Sequence, residues 1–92
     1  MHVGVPKEVK VAERRVGLTP ASVRELVAHG HEVTVEAGAG IGIGAPDEVY
    51  VAAGATIAVN AEAVWREADL VVKVKEPQEA ERAKLREGHL LF

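Results

Sequence analysis

Hydrophobic and polar positions along this chain follow two alternating rhythms, one of period two and one of period three to four. His2–Val5 is a short apolar run closed by Pro6, and it reads as a first strand. In Glu32–Glu36 the valines at 33 and 35 alternate with polar neighbours, which predicts a second strand. Thr56–Val59 and Leu70–Lys75 predict a third and a fourth, and His89–Phe92 begins a fifth. Between them lie helical stretches. Thr19 suits an N-cap, Pro20 a first turn, and Val23, Leu26 and Val27 form a stripe that ends at Gly30. Asp47–Ala53 predicts a short helix stopped by Gly54, and Ala61–Glu67 another, with Val64 and Trp65 as its core contacts. A polar helix over Glu79–Leu85 ends at Gly88.

Strands alternating with short helices across brief turns predict an α/β fold. Its parallel sheet would be built from right-handed βαβ units, Rossmann-like or flavodoxin-like, with flanking helices. No internal repeat, low-complexity tract or linker interrupts the chain, so 1–92 reads as one unit. Leu90, Leu91 and Phe92 form an apolar strand with no helix after it, which predicts a domain truncated part-way.

Composition removes several classes of function. The 92 residues carry a net charge of −3 with mixed signs and three aromatic residues (Tyr50, Trp65 and Phe92), which argues against nucleic acid. No run approaches the ~20 apolar residues that span a bilayer. The absence of cysteine removes thiol chemistry and suits a cytoplasmic protein. His2, His29, His31 and His89 show no zinc-ligand spacing, so no metal is expected. Ser22, the only serine, has no base beside it in the sequence.

The chemistry concentrates in two places. Leu70–Pro77 reads Leu-Val-Val-Lys-Val-Lys-Glu-Pro, and strict alternation puts Lys73 and Lys75 on one face, opposite Val72 and Val74. Lysine in a buried parallel strand loses hydration, a cost relieved at the carboxyl end of the strand, where open α/β sheets bind ligands. The charged stretch after the first strand supplies Arg14 and Arg15. If the first and fourth strands are neighbours, a guanidinium and an ammonium converge there, suited to a small carboxylate beside a carbonyl. The alternative is a solvated basic loop and a lysine reaching water. Glu8 and Glu13 lie in the same loop, where ion pairing is the simpler role.

Gly38-Ala39-Gly40-Ile41-Gly42-Ile43-Gly44 does not fit the dinucleotide pattern G-x-G-x-x-G. From Gly38 the sixth position is Ile43, and from Gly40 it is Ala45. The run follows the second strand rather than the first, and Asn60 stands where an acidic ribose ligand belongs. Tight-turn glycines are the better account.

Read in order, Gly4-Val5-Pro6-Lys7-Glu8, Arg15-Val16-Gly17-Leu18-Thr19-Pro20, Gly30-His31-Glu32-Val33, Glu36-Ala37-Gly38-Ala39-Gly40, Tyr50, Ala52-Ala53-Gly54-Ala55 and Val72-Lys73-Val74-Lys75-Glu76-Pro77 form a pattern. It resembles the amino-terminal region of the alanine dehydrogenase family, within the superfamily that includes nicotinamide nucleotide transhydrogenase. The resemblance implies an NAD-dependent enzyme interconverting L-alanine with pyruvate and ammonia. It also implies a cytoplasmic homo-oligomer whose substrate lies in a cleft between two α/β domains. By that resemblance Arg15 binds the substrate carboxylate, and Lys75 contacts the substrate oxygens and stabilises charge developing there. NAD belongs to a later Rossmann domain absent from this chain, and the acid–base histidine to a position beyond Phe92. The 92-residue chain is therefore expected to be inactive. Ile43 departs from a usual serine, Ala45 from a usual aromatic and Gly17 from a common alanine. Two other readings remain: the first domain of a transhydrogenase alpha subunit, and a non-catalytic module pairing through its last strand with a second copy.

Overall fold

The computed structural model describes residues 1–8 and 15–74, together with the backbone of 90–91. Five strands, β1 (His2–Val5), β2 (Glu32–Glu36), β3 (Thr56–Ala58), β4 (Leu70–Val71) and β5 (Leu90–Leu91), form one sheet in the order β3-β2-β1-β4-β5. Every pairing is parallel. Helices α1 (Pro20–Ala28), α2 (Asp47–Ala52) and α3 (Ala61–Glu67) connect the strands, and a 3₁₀ turn spans Ile41–Ile43. The predicted helix over Glu79–Leu85 lies outside the described residues.

Period-two alternation decides which side chain meets which layer. Val3, Val5, Val33 and Val35 are buried on one face with Val23 of α1 and Tyr50 of α2. On the other face, Val71 packs with Trp65 and Ala68 at the end of α3. Gly4 lets that layer approach: a Cβ there would stand 2.7 Å from Ala68 Cβ. The result is a sheet between two helical layers.

Local signals account for the ends of the elements. Ser22 N donates to Thr19 Oγ1 over 3.3 Å at the start of α1, and Ala63 N to Asn60 Oδ1 over 3.0 Å at the start of α3. Gly30 and Gly54 follow α1 and α2 with φ of 88° and 105°, the left-handed conformation that glycine adopts without strain. β4 is shorter than the predicted Leu70–Lys75. Val72 N still bonds Gly4 O at 3.0 Å, but the next amide, Val74 N, donates to the Glu8 carboxylate instead of a strand.

Candidate functional site

The strand order runs outward from β1 in both directions: β2 and β3 on one side, β4 and β5 on the other. The carboxyl ends of β1 and β4 therefore flank the position where an open α/β sheet leaves a crevice. The two segments singled out in the sequence meet there. Gly17, two residues after Arg15, lies so close to the end of β4 that a Cβ on it would sit 2.3 Å from Val72 O. Glu8, three residues past β1, reaches both Lys73 and Val74.

Arg15 is exposed and stands in the wall of a cavity of about 150 Å³, with Lys7, Glu8 and the glycine-loop residues Gly38, Ile41 and Gly42. That volume is well below the ~300–1,000 Å³ of pockets for drug-sized ligands, so it suits a molecule of a few heavy atoms. Two larger cavities, of about 340 and 390 Å³, lie elsewhere. The first is lined almost wholly by apolar side chains such as Val3, Leu26 and Leu70. The second carries Glu32 and Glu67, which repel an anion. Of these three cavities, the small one gathers both a lysine and an arginine.

Its walls are pinned from several directions. Lys7 N donates to Glu36 Oε1 over 2.8 Å, tying the end of β1 to the end of β2. Gly38 N donates to Asp47 Oδ1 over 2.9 Å, holding the glycine loop on the first turn of α2. Gly40 packs against Tyr50, where a Cβ would fall 2.5 Å from the ring carbon Cε2. The Tyr50 hydroxyl donates to Leu18 O over 2.7 Å. One buried side chain thus braces both the glycine loop and the segment leading from Arg15. Burial pushes the Tyr50 phenol above its ordinary pKa, because the phenolate would lose its water.

Lys75 lies outside the described residues, as do Arg14, Glu13 and His89. The expectation that Lys73 would share a wet crevice mouth is corrected. Its side chain is 2% exposed, and Nζ sits 2.9 Å from Glu8 Oε1, itself on a side chain 2% exposed. Glu8 pairs with this strand lysine, a partner 65 positions away that no local pattern announced. Lys7, Tyr50 and the close approach of Gly17 were likewise not singled out as parts of the site. The quoted motifs contained all three, but only the fold brings them together.

The glycine loop runs into a 3₁₀ turn of three residues, not a helix. The 3₁₀ turn offers no helix N-terminus to a pyrophosphate, so this loop does not fit the dinucleotide pattern. Nor do the described residues gather three or more His, Asp or Glu side chains in a metal-binding cluster. No described helix is long and apolar enough to cross a membrane.

Fold and site together define a parallel α/β domain that presents a small cationic crevice beside the carboxyl ends of β1 and β2. Residues 4–92 match the family described as alanine dehydrogenase/PNT, N-terminal domain, and the chain belongs to that family. Alanine dehydrogenases of Mycolicibacterium smegmatis and Bacillus subtilis are 51% and 49% identical to it over all 92 residues. The chain spans about a quarter of their length, 25% and 24%. A solved L-alanine dehydrogenase superposes on 99% of the chain with a TM-score of 0.96 at 50% identity, the match covering 25% of that structure. A transhydrogenase from Sinorhizobium meliloti superposes at 0.91 with 36% identity, covering 99% of the chain and 27% of its own. These relatives mark an oxidoreductase family acting on small molecules.

Proposed function

We propose that this chain is the amino-terminal part of the substrate domain of an NAD-dependent alanine dehydrogenase, and that its crevice binds the carboxylate shared by L-alanine and pyruvate. The observation that carries this reading is the pairing of two cations, Arg15 and Lys7, in the wall of a cavity of about 150 Å³, whose Glu8 is tied to the segment after β4 through Lys73. Arg15 grips the carboxylate through two parallel hydrogen bonds, and Lys7 adds positive charge beside it. Lys75, two residues beyond the buried Lys73, stabilises negative charge developing on the substrate oxygen. NAD is held by residues outside this chain, as is the acid–base group, so the 92 residues alone are inactive and bind pyruvate only weakly. The assembled protein is a cytoplasmic homo-oligomer acting on a small molecule.

A transhydrogenase first domain is the second reading, favoured by the superposition on the S. meliloti protein. A chimera separates the two. In it, this chain replaces the matching quarter of the M. smegmatis alanine dehydrogenase. The chimera is expected to oxidise alanine. Arg15→Ala should raise KM for pyruvate about tenfold or more, and Lys75→Ala should depress kcat/KM further. A folded chimera that moves hydride between nucleotides but leaves alanine untouched would favour the second reading. Near-normal turnover in Lys75→Ala would remove the role given to that lysine.

A further inference from the structure

A buried ion pair is an expensive way to join two strands, because both charges leave water, and apolar residues of similar size often do as well or better. The Glu8–Lys73 pair therefore needs a reason beyond adhesion. Its position supplies one. Glu8 lines the same small cavity as Arg15 and Lys7. An ionised carboxylate there would repel a substrate carboxylate and compete with it for the guanidinium. In the folded chain both Glu8 oxygens are engaged on the β4 side: Oε1 with Lys73 Nζ at 2.9 Å, and Oε2 with the Val74 amide at 3.1 Å.

We propose that Lys73 is a positioning residue that turns the Glu8 carboxylate toward β4 and cancels its charge, keeping the crevice wall receptive to a substrate carboxylate. The inference rests on the carboxylate-binding reading above and assigns the two strand lysines different tasks. Lys73 silences an internal anion, and Lys75 meets the external one. It also explains how an acidic residue can stand in the wall of an anion site without defeating it.

The test is a titration of the 92-residue chain with pyruvate, following amide resonances of Lys7, Arg15 and Gly38–Gly42, with thermal melting of each variant alongside. Lys73→Met takes the ammonium away from Glu8 Oε1, and should weaken pyruvate binding about tenfold in the folded population. The double variant Glu8→Gln/Lys73→Met removes both charges together, and should return the affinity to within about threefold of native. Should Lys73→Met fail to fold, the double variant still decides, because it buries no unpaired charge. A folded double variant about tenfold weaker than native would show that the pair acts only as a brace, and would overturn the proposal. So would Lys73→Met binding pyruvate as the native chain does. If the native chain itself gives no pyruvate-dependent shifts, the carboxylate-binding reading fails, and the inference falls with it.

Discussion

The two edges of the sheet are built on opposite terms. At the amino edge, His2 N donates to Asp69 Oδ2 over 2.9 Å, and His2 Nε2 lies 2.7 Å from Thr34 Oγ1. Its Nδ1 is 3.5 Å from Glu32 Oε2, on a side chain 81% exposed. The His2–Thr34 contact is part-buried, while those with Asp69 and Glu32 lie at the surface, where charge is screened. At the carboxyl edge, a fully desolvated pair joins β1 to β4, Gly17 abuts the Val72 carbonyl, and a buried tyrosine braces two loops. The costly arrangements stand at the edge that carries the proposed carboxylate site, and the cheaper ones at the opposite edge.

Five substitutions probe that contrast, the larger expected effects first. Lys73→Met should cost about 3–5 kcal/mol in chemical denaturation, because it strands a buried carboxylate, whereas Glu32→Gln at the amino edge should stay within about 0.5 kcal/mol. Equal losses at both edges would erase the distinction. Gly17→Ala should cost about 1–3 kcal/mol, since its methyl group meets backbone that cannot swing aside. Gly30 has open space around its missing Cβ, so Gly30→Ala should show only the backbone penalty of its φ of 88°, about 1 kcal/mol. Tyr50 gives a small effect, and part of it appears only in alkaline solution. Its folded pKa is raised, so the unfolded chain loses its phenolic proton first. The contribution of Tyr50 is whole below a pH of about 10 and drains away as pH climbs through the folded value. Tyr50→Phe should flatten that alkaline limb and cost about 1 kcal/mol at neutral pH, where Leu18 O loses its donor.

The elements of the fold were legible because their signals are local. Thr19-Pro20 sets the start of α1, Gly30 its end, and the valines at 33 and 35 the buried face of β2. The neighbouring of β1 and β4 stood only as a condition in the sequence, because βαβ units do not fix strand order, and the structure meets it. The sequence misled where a distant partner decided the outcome. Period-two alternation carried β4 on to Lys75, yet the ladder stops because Glu8 captures the amide of Val74. The same carboxylate makes Lys73 a buried residue instead of a solvated one. Nothing within the Lys-Val-Lys run announces that its first lysine is buried. That outcome comes from Glu8, in the stretch after β1.

The central claim is that Arg15 and the end of β4 form one carboxylate site, and a pyruvate titration of the native chain beside Arg15→Ala tests it most directly. The native chain should show saturable shifts at Lys7, Arg15 and the Gly38–Gly42 amides at roughly millimolar pyruvate, and Arg15→Ala should lose them while keeping its melting temperature. Shifts that persist undiminished in Arg15→Ala, or that cluster at the amino edge around His2 and Glu32, would contradict the account.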